Sequence, residues 1–306
     1  MVLRRSHAVG FALAALLCAT ASRSPATSGV AIVDAQAAQS RPIVPLPNRE
    51  GSFKFAVLGD FGDGSSAQMQ VAQQMVKLRS TFPFELVITV GDNIYGGERP
   101  QDLKRKFEVP YGPLMESGVK FYASLGNHDD RGQARYAPFN MEGRTYYTFK
   151  APKQDVRFYA LETDYLGPPQ VAWLEKELAS AGEDWKIPYF HHPLYSSGER
   201  HGSHPDLAAV LEPLFLKAGV SVVFAGHDHF YERTKPQKGI VYFVTGSGGK
   251  LRKNGIDKSS ALMAVGFDTD QAFLAAEIDG DQLYFNAISR TGTIVDSGVI
   301  ERRKQE

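Results

Sequence analysis

The sequence predicts an α/β fold: strands and helices alternate through most of the chain, and antiparallel strands close it. Three observations carry this reading. Five short apolar runs each end in a tight turn bearing Asp, Asn or His. Segments with an apolar stripe at helical spacing fit between them. Beyond Gly239 the strand-like segments follow one another directly. Alternating strand and helix signals indicate layered α/β architecture.

Phe53 to Leu58 reads as a buried strand, ending in Gly59-Asp60-Phe61-Gly62. A helix follows, capped by Ser65 or Ser66, with Met69, Ala72 and Val76 recurring at helical spacing. Leu86 to Val90 is short and β-branched and ends in Gly91-Asp92-Asn93. Val119 to Leu125 ends in Gly126-Asn127-His128-Asp129, and Trp185 to Phe190 ends in His191-His192-Pro193. Val220 to Ala225 ends in Gly226-His227-Asp228-His229. Val171, Leu174 and Leu178 form one helical stripe closed by Gly182; Leu207, Val210, Leu211 and Leu214 form another closed by Gly219. The closing strands are Ile240 to Val244, Ala272 to Ile278, Leu283 to Ile288 and Thr293 to Ile300, with Asp279-Gly280 and Thr291-Gly292 as hairpin turns.

The 34 Lys+Arg balance the 34 Asp+Glu, which leaves no basic footprint for nucleic acid. A 43% hydrophobic content across 306 residues supports a sizeable core and argues against a disordered chain. Cys18 is the only cysteine, so no intramolecular disulfide forms. Arg4 and Arg5, the apolar run from Val9 to Ala19 and the small residues Ala19-Thr20-Ala21 follow the three-part pattern of a secretory signal. The expected organisation is a signal peptide over residues 1–21, an Ala/Ser/Pro-rich linker over 22–50 and one catalytic domain over 51–306. The expected location is secreted or periplasmic. The Arg pair leaves twin-arginine export open beside the general secretory route. No later run is long and apolar enough to span a membrane. Oligomeric state is not legible.

In layered α/β folds the C-terminal ends of strands converge on one rim, where sites form. That rim would hold Asp60, Asp92, Asn127, His191, His227 and His229: oxygen and imidazole donors without a thiolate. Such a set suits zinc, iron or manganese better than a structural zinc cage. Seven of the eight histidines, all but His7, fall at or just after these strand ends.

With these blocks the chain resembles the metallophosphoesterases (calcineurin-like), and within them the purple, tartrate-resistant acid phosphatases. The family pattern runs DxG, GDxxY, GNH(D/E), VxxH and GHxH. The corresponding segments are Asp60-Phe61-Gly62, Gly91-Asp92-Asn93-Ile94-Tyr95, Gly126-Asn127-His128-Asp129, His191 and Gly226-His227-Asp228-His229. The fourth block departs, with Pro188 where Val is usual. The resemblance implies a four-layer αββα sandwich with a dinuclear metal site at the strand ends. By motif position, Asp60, Tyr95 and His229 would hold one metal, Asn127, His191 and His227 the second, and Asp92 would bridge them. Many relatives carry His where Gly62 stands; Tyr95 can take its place. A phenol ionises near pH 10 in water, so a trivalent ion would stabilise it as phenolate far better than a divalent one. The implied cofactors are therefore Fe(III) plus a divalent Zn, Fe or Mn.

The implied function is a secreted acid phosphatase that hydrolyses phosphate monoesters with a metal-bound hydroxide. The alternative is a phosphodiesterase or nucleotide hydrolase on the same dimetal scaffold. His128 is the first candidate for hydrogen bonding to the phosphoryl oxygens or protonating the leaving group, and His201 the second. His192 and His204 read as supporting or loop residues. The expected partner is a small phosphate ester, with no nucleic acid and no stable membrane span. Gly96 to Arg105, Asp130 to Arg144 and Ser196 to Asp206 are expected to form loops around the rim.

Overall fold

A computed structural model describes residues 42–182 and 185–303. The expected signal peptide, Cys18 and the first part of the linker lie outside them. Among the described residues, 42–50 contain no helix or strand; the Asn48 and Arg49 N–H groups donate to the Glu277 carboxylate at 2.6 and 2.7 Å.

Two sheets form the centre. The first has six strands: β1 (Phe53–Leu58), β2 (Leu86–Val90), β3 (Lys120–Ser124), β11 (Ala272–Asp279), β12 (Gln282–Ser289) and β13 (Ile294–Glu301), in the order β13-β12-β11-β1-β2-β3. β1, β2 and β3 run parallel, and β11 pairs antiparallel to β1. The second sheet has seven: β4 (Tyr147–Lys150), β5 (Val156–Ala160), β6 (Trp185–Tyr189), β7 (Val222–Ala225), β8 (Tyr231–Thr234), β9 (Val241–Thr245) and β10 (Met263–Phe267), ordered β10-β8-β9-β7-β6-β5-β4. Its parallel core is β5-β6-β7-β9.

The sheets pack face to face through aromatic rings. Phe55 of β1 meets Phe158 of β5 at 5.3 Å, and Phe243 of β9 meets Phe285 of β12 at 5.0 Å, both edge to face. That arrangement is the favourable one for aromatic quadrupoles. Between the sheets, the Tyr231 hydroxyl and Arg233 guanidinium both donate to the buried Asp296 carboxylate.

Helices cover the outer faces. α1 (Ser66–Arg79) buries Val71, Ala72 and Met75 in the core shared with the first sheet. Its cap is Ser65 rather than Ser66: the Ser65 hydroxyl accepts from the Gln68 N–H. A continuous helical stretch runs from α2 (Pro100–Leu103) through a π turn over Lys104–Glu108 into α3 (Val109–Glu116), placing Phe107, Tyr111 and Leu114 in the same core. α2 opens on Pro100, where no intrahelical N–H is lost, whereas Pro110 and Pro113 lie within the continuous stretch. The loop expected from Gly96 to Arg105 therefore ends at Pro100.

α4 (Pro168–Ser180) and α5 (Pro205–Lys217) cover the second sheet with Leu174, Leu178, Leu211 and Phe215. Each stops near a left-handed glycine, Gly182 and Gly219. The stripes are narrower than expected: Val171 is half-buried and Val210 is exposed. Helices, two sheets and helices thus stack as the four-layer arrangement expected. Among the described residues, no helix is long and apolar enough to cross a membrane.

Candidate functional site

The ends of β1, β2 and β3 meet those of β6 and β7 along one seam, and the backbone turns abruptly there. Asp60, Asp92 and His227 have φ of 53°, 51° and 72°. Left-handed backbone at a non-glycine residue costs on the order of 1–3 kcal/mol and persists only where neighbours hold it. Here the Asp60 N–H donates to the Gly91 carbonyl at 3.0 Å, and the His227 N–H donates to Asp60 Oδ2 at 3.0 Å. Each turn is braced by the neighbouring one.

Seven side chains converge in two groups. The Tyr95 hydroxyl lies 3.1 Å from Asp60 Oδ1 and 3.1 Å from His229 Nε2, with 3.4 Å between the last two atoms. In the second group, His191 Nε2 is 3.0 Å from Asn127 Oδ1 and 3.1 Å from His227 Nδ1, and His227 Nδ1 is 3.0 Å from Asn127 Oδ1. Asp92 stands between them, with Oδ1 3.4 Å from His191 Nε2 and its carboxylate raising the Tyr95 phenol pKa. Bonds of about 2.1 Å to one ion would separate adjacent donor atoms by about 3.0 Å in octahedral and about 3.4 Å in tetrahedral coordination. Both triangles have those edges.

The ionisation chemistry agrees. Burial lowers His227 strongly and His229 to about 4, leaving imidazole lone pairs free. Burial raises Asp60 well above the usual carboxylate range, with Asp92 adding to it. Burial and the same two carboxylates drive the Tyr95 phenol upward. A set of neutral imidazoles beside acids that resist ionising together is what positive charge between them would reverse.

His191 and His192 compete for one role, and the geometry separates them. The group His191, His192 and His227 lies within 4.8 Å by ligand atoms. His192 Nε2, however, lies 3.8 Å from Asp164 Oδ1, whereas His191 is wholly buried with Nε2 3.0 Å from Asn127 Oδ1 and 3.1 Å from His227 Nδ1. His191 Nδ1 bonds the Val90 carbonyl at 2.9 Å, so Nε2 is left as the lone-pair nitrogen. Pro188, the departure from the family pattern, sits inside β6 opposite Tyr159 without interrupting the strand.

Both candidate acids lie at this seam. His128 is exposed; its ring is 4.9 Å from that of Tyr95, and its N–H donates to Asp92 Oδ1 at 3.0 Å. His201 is exposed, with its ring 4.1 Å from that of His227. His192 and His204 pack behind, their rings 5.0 Å apart.

The structure gives places to residues that the sequence left without a role. Asp129 accepts from the N–H groups of Asn93, Ile94 and Gly126, all within 2.9–3.0 Å, and so ties the β2 turn to the β3 turn. Burial pushes its carboxyl up to about 7. Thr163 and Asp164 follow β5, whose apolar run obeys the same grammar as the other five but is interrupted by Arg157. Asn127, Asp129 and Asp130 separate two cavities of about 640 and 320 Å³; the smaller also has Arg131, Asp164 and Tyr165 in its wall.

Comparison with known proteins places this geometry. The family model described as calcineurin-like phosphoesterase matches residues 53–231. Tartrate-resistant acid phosphatase type 5 of Oryctolagus cuniculus is 27% identical over 247 residues, 66% of this chain and 76% of that protein. Purple acid phosphatase 4 of Arabidopsis thaliana is 27% identical over 237 residues, 66% of this chain and 70% of that protein. Among solved structures, purple acid phosphatase PPD1 from yellow lupin seeds aligns with a TM-score of 0.67 and 19% identity, over 85% of this chain and 55% of that one. GAP50, described as the anchor in the inner membrane complex of Plasmodium, aligns with a TM-score of 0.71 and 19% identity, over 84% and 91%.

Proposed function

Because the chain belongs to the calcineurin-like phosphoesterase family, we propose that it is a secreted acid phosphatase of the purple type. It would hydrolyse phosphate monoesters at a centre of Fe(III) and a divalent Zn, Fe or Mn. The observation that carries this reading is the pair of donor triangles joined by Asp92, with a tyrosine hydroxyl in the first. Asp60, Tyr95 and His229 would hold the trivalent ion. Asn127, His191 and His227 would hold the divalent ion, and Asp92 would reach both. When bound, the ions supply Lewis acidity toward the phosphoryl oxygens and lower the pKa of water at the centre.

The chain's own residues do the rest. Asp129 and the hydrogen bonds among the turns hold the donors in place. His191 is oriented by the Val90 carbonyl. His128 lies on the open side of Tyr95, where a leaving alkoxide can take its proton. His201 covers His227 from the facing loop. Secretion rests on the signal-like residues 1–21. The domain organisation, a linker to residue 50 and one catalytic domain over 51–306, belongs to the same proposal.

The fold by itself does not imply hydrolysis, since the neighbour GAP50 is described as an anchor. The test is the visible absorption spectrum of the purified, oxidised protein with metal content measured on the same sample, followed by rates on a nitrophenyl monoester and the corresponding bis-ester. A broad charge-transfer band, bound iron and preference for the monoester support the proposal. Colourless protein with two equivalents of zinc or manganese removes the purple-type centre, and preference for the bis-ester replaces monoesterase with diesterase. Stoichiometric metal without turnover on any phosphate ester would leave a binding role.

A further inference from the structure

The segment after β9 brings two cations to the seam. Its backbone is fastened to the donor residues themselves: the Gly249 and Lys250 N–H groups both donate to the Asp60 carbonyl, at 3.1 and 2.9 Å, and the Arg252 N–H donates to the His229 carbonyl at 2.8 Å. Lys250 is half-buried, and its ammonium stands 4.5 Å from the centroid of the Tyr95 ring. Among the described residues, the side chains of Lys250 and Arg252 make no hydrogen bond and no ion pair. Both push His229 further toward its neutral form, which places their charge within electrostatic reach of the first donor triangle.

A lysine packs its methylene stem against the protein and leaves its ammonium available to a partner. Carboxylates line the cavities at Glu98, Asp130 and Asp164, and Asp63 lies beside Gly249, yet none is paired with Lys250. A cation whose backbone is fastened at the edge of the site, and whose side chain has no protein anion, is arranged for an anion that arrives from solution.

We propose that Lys250 is a substrate-binding residue that donates to a non-bridging oxygen of the phosphoryl group, with Arg252 contributing charge behind it. The class of ligand is a phosphate monoester dianion or inorganic phosphate. The inference rests on the phosphatase reading above. It also gives the substrate a direction: phosphoryl oxygens face β1 and Lys250, and the leaving group faces His128 and the larger cavity.

The experiment compares wild type, Lys250→Met and Lys250→Arg. Inorganic phosphate serves both as competitive inhibitor and as titrant of the visible band, and metal content is measured on each protein. Lys250→Met is expected to weaken phosphate binding and raise KM by about tenfold, the factor carried by one charge-assisted hydrogen bond. Its metal content stays at the wild-type value, and Lys250→Arg recovers most of the loss. An active wild type whose Lys250→Met variant binds phosphate equally well overturns this inference alone. So does a variant that only moves the absorption band, since Lys250 would then serve the Tyr95 ring. A wild type with neither metal nor turnover overturns the phosphatase reading, and this inference with it.

Discussion

The N–H of Tyr95 donates to the carbonyl of Gly62 at 2.9 Å, and a Cβ at Gly62 would be built into the Asn93 carbonyl. The two positions are therefore one local unit. With this backbone no side chain fits at position 62, and an imidazole there is sterically excluded. The Tyr95 hydroxyl instead reaches Asp60 and His229 across the turn.

Tyr95→Phe keeps the ring packed against His128 and removes only the hydroxyl. Its expected outcome is loss of the visible charge-transfer band and of bound iron, with the fold unchanged by circular dichroism. A variant that retains the band would show that the chromophore lies elsewhere.

Metal removal acts on stability as well as on rate. The seven donors are contributed by turns far apart in sequence, and their gathering is favoured by any ion that binds only the folded chain. An ion present at about 100 times its dissociation constant stabilises by about 2.7 kcal/mol. Exhaustive chelation is expected to abolish turnover and lower Tm by several degrees, and readdition of iron with zinc restores both. A Tm indifferent to chelator would mean that the two triangles are not loaded in the native protein.

His128 reaches the site without belonging to either triangle. His128→Ala is expected to reduce kcat by about 10²- to 10⁴-fold, the range for loss of a general acid, with both metals still bound. The loss is smaller for substrates with good leaving groups, which need no proton. Loss of metal in this variant would instead mark His128 as part of the ion-binding set.

Glu232 offers a pH test away from the candidate metal ligands. Its carboxylate is fully buried and accepts from the Ser197 N–H at 2.8 Å and hydroxyl at 2.6 Å, yet burial still holds its pKa above the ordinary 4.5. From 4.5 up to the raised value, the folded state keeps a proton that the unfolded chain has released. Stability from this group therefore falls as pH rises through that window and is level above it. Glu232→Gln does not titrate, so its Tm relative to wild type is expected to climb across the window and then plateau. A constant difference at every pH would refute the raised pKa.

The site was legible because the chemistry repeats a simple local grammar: an apolar strand, a small residue, then a polar ligand type. Asp60, Asp92, Asn127, His227 and His229 obey it, following Gly59, Gly91, Gly126 and Gly226, whereas His191 follows Phe190 directly. β5 obeys it too, but Arg157 broke the apolar run, and Thr163 and Asp164 went unnoticed. The helical stretch over Pro100–Glu116 escaped because its prolines and the π turn interrupt helical periodicity, and Phe107 and Tyr111 then enter the core from a segment read in part as loop.

By itself, the sequence determined which strand ends carry candidate donors and in what order; the family resemblance added Tyr95 in place of a ligand at position 62. Those are properties of short segments, where spacing dictates which residues share a turn. The family pattern already names His191 rather than His192; the tertiary structure sets His191 Nε2 3.0 Å from Asn127 Oδ1 and His192 Nε2 3.8 Å from Asp164 Oδ1. It alone gathered two triangles with 3.0–3.4 Å edges, and it alone set Lys250 over Tyr95. Such relations join residues 35 positions apart, as with Asp60 and Tyr95, and 155 apart, as with Tyr95 and Lys250, and they arise from how the two sheets pack face to face, which no local pattern encodes.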